Sequence, residues 1–250
     1  MAQLIIALDQ SSQEQARALV DELTAAGVRW FKVGLELYTQ SGPAFVRHLK
    51  DQGASVFLDL KLYDIPNTVA GAVKAAVQTG ADLLTVHCSG GPAMLEAAQK
   101  STLGSNLKLL GVTVLTSFGG QDYESVCEAW GARPNAVPPR NAVAISLARL
   151  AAESGLPGIV CSVSDLHDGQ LQRLSWKVHR PLFVTPGIRE SADAANDQKS
   201  IGTVDQALAA GATHLVVGRP ITAPASDSRV EAAQKFLRTI KEGYVVTSHS

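Results

Sequence analysis

Cysteine is scarce in this chain, and its placement excludes two architectures. Cys88, Cys127 and Cys161 lie far apart with no C-x-x-C pair, so neither a disulfide framework nor a zinc site is indicated, and a reducing compartment fits best. An excess of charge is also lacking: the net charge is −1, whereas a nucleic-acid surface would need a basic patch or stripe. No uninterrupted apolar run approaches the roughly 18 residues of a membrane span. No basic leader precedes the short apolar run that Asp9 ends, and the expectation is a cytoplasmic protein. The first strand is followed by Asp9-Gln10-Ser11-Ser12 in place of G-x-G-x-x-G, which counts against a doubly wound dinucleotide fold.

What is present is enough apolar material for a large core, 46% of the 250 residues against 18% charged. It is arranged in strand-like runs that alternate with helical patterns. Leu4 to Asp9 is apolar until its last residue, Ser11 and Ser12 are caps, and Gln13 to Ala26 is helical and ended by Gly27. The unit recurs with strands at Arg29 to Leu35, Ser55 to Leu62, Leu83 to Ser89, Lys108 to Ser117, Gly158 to Val163, Pro181 to Ile188 and His214 to Gly218. Strand and helix alternate about eight times, with runs suited to a parallel sheet covered by helices, which predicts an α/β fold, a single (β/α)8 TIM barrel over residues 1–250. Two stretches break the rhythm. About 119–140, with Trp130, Arg133-Pro134 and Pro138-Pro139, reads as an irregular insertion, and about 189–200 is polar without hydrophobic period and reads as a mobile loop.

In a barrel the chemistry collects at the C-terminal ends of the strands. Charged and polar residues gather there: Asp9 ends the first strand, Lys32 lies on the second, Asp59 and Lys61 end the third, Thr116 and Ser117 the fifth, Pro186 the seventh and Arg219 the eighth. Alternation puts Phe57, Asp59 and Lys61 on one face of the third strand, with Val56, Leu58, Leu60 and Leu62 on the other. An unpaired interior lysine is costly, so Lys32 is expected in a charge network with Asp59. Asp64 lies past the strand end, and Pro66 suits the first turn of the next helix. Read plainly, Asp59 and Lys61 either neutralise each other at a sheet edge or work as a catalytic pair. Val217-Gly218-Arg219 occupies the place where barrels bind phosphate; Gly218 allows close approach and Arg219 offers a charged fork, to which Gln198 adds an amide. His87 reads as a hydrogen-bonded core histidine, and Cys88 and Cys161 as inert.

The stretch Asp59-Leu60-Lys61-Leu62-Tyr63-Asp64-Ile65-Pro66-Asn67-Thr68 resembles the signature of the orotidine 5'-monophosphate decarboxylase family. Further strings match that family's motifs in order: Ala7-Leu8-Asp9, Phe31-Lys32-Val33-Gly34, Leu115-Thr116-Ser117, Thr185-Pro186-Gly187-Ile188-Arg189, Asp197-Gln198 and Val217-Gly218-Arg219. Tyr63 departs from the histidine that bacterial members often carry. The resemblance implies a homodimeric barrel that decarboxylates orotidine 5'-monophosphate to uridine 5'-monophosphate with neither metal nor cofactor. It implies catalysis by Lys61, Asp59, Lys32 and Asp64, with Asp64, Ile65 and Thr68 entering the partner subunit's site. Asp9 and Lys32 would bind the ribose, Thr116 and Ser117 the pyrimidine edge, Gln198 and Arg219 the phosphate, with Pro186, Ile188 and Gly218 also at the substrate. Two other readings stand beside it: a magnesium-dependent sugar-phosphate decarboxylase or aldolase with Glu36 and Asp59 as ligands, and a barrel that binds a nucleotide without acting on it.

Overall fold

The computed structural model describes residues 1–190, 202–223 and 225–247. Eight parallel strands close a barrel: β1 (Gln3–Ala7), β2 (Trp30–Gly34), β3 (Ser55–Leu62), β4 (Leu83–His87), β5 (Lys108–Val112), β6 (Gly158–Val160), β7 (Leu182–Pro186) and β10 (His214–Val217). Two short strands, β8 (Ile188–Arg189) and β9 (Gly202–Thr203), pair separately. The (β/α)8 barrel expected from the alternation is the fold.

Strand alternation sorts the apolar residues into two cores. Ile5, Ala7, Phe57, Leu83, Leu110, Val184 and Val216 fill the barrel interior. Their neighbours Leu4, Ile6, Val56, Leu58, Leu84 and Leu215 point outward and are sealed by helices such as Gln13–Ala25, through Ala16, Leu19, Val20 and Leu23. Ser12 caps that helix, accepting from Gln15 N at 3.3 Å. Because each strand is buried on both faces, a polar residue persists on it only where it finds partners or reaches the barrel mouth.

Four departures from the sequence reading matter for the site. The ladder between β3 and β4 slips: Leu58 pairs with Leu84 but Leu62 with Val86, so four steps of β3 oppose two of β4. Within this bulge Lys61 has φ 48°, and it is the one non-glycine residue at positive φ among the described residues. The stretch 119–140 is not wholly irregular, because it contains a helix, Gln121–Ala129. Tyr123 and Cys127, four apart, form its buried stripe, and Tyr123 Oη donates to the Pro138 carbonyl at 2.7 Å. A single buried pair between glycines and prolines is too short a signal to show a hydrophobic period. The polar segment also begins later than expected: Arg189 is buried in β8, and residues 191–201 lie outside the described residues. Finally, β5 stops at Val112, leaving Thr116 and Ser117 in the loop beyond it.

Candidate active site

A cavity of about 510 Å³ opens at the C-terminal ends of the strands. Asp9, Lys32, Asp59, Lys61, Thr116, Pro186, Gly218 and Arg219 all line it, contributed by β2, β3, β7 and the segments that follow β1, β5 and β10. The inner core ends just below: Ala7 and Phe57 are the register partners of Lys32, so the lysine is the first polar side chain above an apolar floor.

The charges here form two separate pairs. Lys32 Nζ donates to Asp9 Oδ1 at 2.9 Å, and Lys61 Nζ to Asp59 Oδ2 at 2.7 Å. The expected link from Lys32 to Asp59 is not among the ion pairs of the described residues. Gly34, paired in register with Asp59, makes room for the first pair: a Cβ there would lie 3.1 Å from Lys32 Nζ and 3.7 Å from Asp9 Oδ1. At Gly218 a Cβ would stand 3.9 Å from Asp9 Oδ2, so a side chain would fill the cavity mouth that the bare backbone leaves open.

Thr85, buried inside β4, holds the second pair in place and was invisible in an otherwise apolar run. Its Oγ1 accepts from Lys61 N at 2.8 Å and donates to Asp59 Oδ1 at 3.1 Å. The bulge takes Lys61 N out of the ladder, and the threonine supplies the acceptor that a buried amide requires. A non-glycine residue at positive φ costs on the order of 1–2 kcal/mol, strain that commonly accompanies a functional constraint.

His87 lines an adjoining apolar cavity of about 410 Å³ with Tyr63, Tyr123 and Trp130; Val114 and Leu115 border both cavities. Burial, and then the charge of Lys61, lowers the His87 pKa, so the imidazole stays neutral. Its Nδ1 lies 3.0 Å from Ser89 Oγ. Burial pushes the Cys88 thiol up to about 12 and holds Cys161 well above its ordinary value, so both are unreactive.

The remaining expected site residues fall elsewhere. Asp64, Ile65 and Thr68 are exposed and outside the cavity of their own chain; Asp64 Oδ1 accepts from Ile65 N. Ser117 is exposed, and Ile188 is fully buried in the outer core, because Gly187 at φ 79° turns the chain after Pro186. Gln198 lies outside the described residues. Arg189, which was not singled out, lines the cavity with Arg219. The signal for it was an arginine directly after a strand-end Pro-Gly-Ile.

A profile of the orotidine 5'-phosphate decarboxylase / HUMPS family matches residues 2–236. The chain belongs to that family. A curated orotidine 5'-phosphate decarboxylase of Coxiella burnetii is 40% identical over 241 residues, covering 94% of this chain and 97% of the relative. The enzyme of the same name from Chromohalobacter salexigens is 44% identical over 223 residues, 88% of each chain. Among solved structures, orotidine 5'-phosphate decarboxylase from Lactobacillus acidophilus superposes with a TM-score of 0.79 at 31% identity, covering 96% of this chain and 99% of its own. The Methanocaldococcus jannaschii orotidine 5'-monophosphate decarboxylase, complexed with the inhibitor BMP, has a TM-score of 0.72 at 22% identity and shares the fold. Family membership therefore extends over the whole barrel, both charge pairs included.

Proposed function

We propose that this chain decarboxylates orotidine 5'-monophosphate to uridine 5'-monophosphate, the last step of de novo pyrimidine nucleotide synthesis. The observation that carries the reading is Lys61, held at positive φ with its ammonium 2.7 Å from Asp59 and facing the cavity.

Breaking the bond from pyrimidine C6 to its carboxylate leaves the electron pair in a ring-plane orbital, outside the π system, so stabilisation must be electrostatic. Lys61 supplies it: its ammonium stabilises the charge growing at C6, then gives C6 a proton and is itself reprotonated from solvent. The neutral His87 leaves that task to Lys61. Asp59 keeps the ammonium aimed and stands near the departing carboxylate; two like charges about 4 Å apart repel by roughly 4 kcal/mol at an effective dielectric of 20, a stress relieved as carbon dioxide leaves. Asp9 and Lys32 receive the ribose hydroxyls, Thr116 the pyrimidine edge, and Gly218 with Arg219 the phosphate. Gln198, which lies outside the described residues, adds a side-chain amide to the phosphate.

The working form is a homodimer with shared sites. The exposed stretch from Tyr63 to Thr68 supports this: it exposes two large apolar side chains, Tyr63 and Ile65, begins two residues after Lys61, and from Asp64 onward does not line the active-site cavity of its own chain. Residues 1–250 act as one barrel domain. No helix among the described residues is long and apolar enough to cross a membrane. A cytoplasmic setting fits the three buried free thiols.

Loss of orotate absorbance when purified protein meets orotidine 5'-monophosphate tests the reading, and a folded protein that leaves the absorbance unchanged would overturn it. A chelator in the same assay separates it from magnesium-dependent sugar-phosphate chemistry. Activity should persist, since Asp59 is already engaged by Lys61.

A further inference from the structure

Arg140 opens the helix Arg140–Glu153, yet its side chain leaves the helix to bridge two segments that follow neighbouring strands. Nη1 donates to Asp165 Oδ1 at 2.9 Å, and Nη2 donates to the Val114 carbonyl at 3.3 Å. Asp165 is a fixed anchor: its side chain is 2% exposed, and its Oδ2 accepts from Ser162 N at 3.0 Å and Ser162 Oγ at 2.7 Å. One planar guanidinium thus ties the loop after β5 to the short helix Val163–Leu166 that follows β6, a geometry that needs the fork of arginine.

The loop it holds carries Val114, Leu115 and Thr116 into the cavity wall. Past the ladder partner Val112, Thr113 Oγ1 donates to the Val160 carbonyl at 3.4 Å, and Phe118 N closes a turn on the Leu115 carbonyl at 2.9 Å. Neither of these bonds is made by the Val114 carbonyl. The Arg140 bond fixes that peptide from a different element. Tyr123 fastens the inserted segment at Pro138, two residues before Arg140, so a stretch with no evident purpose in the sequence delivers the brace.

We propose that Arg140 is a positioning residue for the base end of the substrate: by fixing the Val114 carbonyl it sets Leu115 and Thr116 where the pyrimidine rests, without touching substrate. The proposal builds on the decarboxylase reading. The phosphate end, at Gly218 and Arg219, follows β10, whereas Arg140 donates to Asp165 and to the Val114 carbonyl beside the base end, so the two ends of a nucleotide should respond differently to its loss.

Arg140→Lys keeps a cation for Asp165 but cannot span both acceptors. Inhibition constants of uridine 5'-monophosphate and ribose 5-phosphate are measured beside kcat, KM and the melting temperature. The nucleotide should bind about tenfold more weakly, the loss of one charge-assisted hydrogen bond, while ribose 5-phosphate stays within about twofold. Equal weakening of both ligands, or an unchanged nucleotide constant, overturns the proposal. Arg140→Met combined with Asp165→Asn leaves no buried charge unpaired and should show the same split; it decides the matter if the lysine variant does not fold. Wild-type protein that releases no carbon dioxide from orotidine 5'-monophosphate would instead overturn the decarboxylase reading on which this rests.

Discussion

At the N-terminal end of the barrel His214 is buried with its Nδ1 2.9 Å from Thr213 Oγ1 and the Trp30 ring edge-on at 5.2 Å. At the C-terminal end Lys61 is partly open to the cavity, bulged out of its ladder and held at positive φ. Both are basic groups inside one eight-stranded sheet, and they are treated in opposite ways. Burial, and then the charge of Lys108, lowers the His214 pKa to about 4, so this end keeps its base neutral and closes over it. The mouth keeps its lysines beside carboxylates and open to a ligand. Conformational strain sits at the end that does chemistry, and regular pairing at the end that holds the barrel closed.

The sharpest way to break this contrast is Lys61→Ala. It removes both the proton donor and the cation nearest C6, so kcat should fall by about 10⁴-fold or more while the protein stays folded, because alanine keeps the same Cβ at positive φ. A folded variant with near-normal turnover would put the chemistry elsewhere. Arg219→Ala comes next: KM for the nucleotide should rise by about 10- to 100-fold through lost charge-assisted bonds to phosphate. A substrate truncated to lack phosphate should hardly change. Equal losses for both substrates would make Arg219 a structural residue.

Mixing inactive Lys61→Ala with inactive Asp64→Ala sharpens the comparison at the subunit boundary. If each site draws Lys61 from one chain and Asp64 from the other, random reassortment leaves about a quarter of all sites intact. Activity should return to roughly that level. Demonstrated subunit exchange without recovery would place Asp64 in the work of its own chain.

The smallest effect belongs to the closed end. The folded pKa of His214 lies below the unfolded value, so its contribution to stability is complete above about pH 6.5 and is lost as pH falls toward 4. Between pH 7 and pH 5 the wild type should lose on the order of 2 kcal/mol more unfolding free energy than His214→Gln, read by urea denaturation at each pH. Parallel losses in the two proteins would show that His214 is not protonated on unfolding in this range.

Much of this protein was determined locally. The alternation of apolar strands with capped helices required a parallel sheet covered on both faces, and the charges at Asp9, Lys32, Asp59 and Lys61 could only stand where such strands emerge. Side-chain alternation was enough to put Asp59 and Lys61 on the inner face. Partner choice was not legible, because it depends on register between strands that are distant in sequence. Lys32 pairs with Asp9 rather than Asp59, and Thr85 joins Asp59 to the Lys61 amide only because β3 slips two residues against β4. Ile188 moved from the cavity to the outer core for a similarly local reason, the turn at Gly187. Arg140 reads in sequence as the last residue of the irregular stretch 119–140. Only closure of the barrel brings Asp165 and Val114 within reach of it, because contacts between segments some 25 residues apart exist when the sheet that positions them has formed.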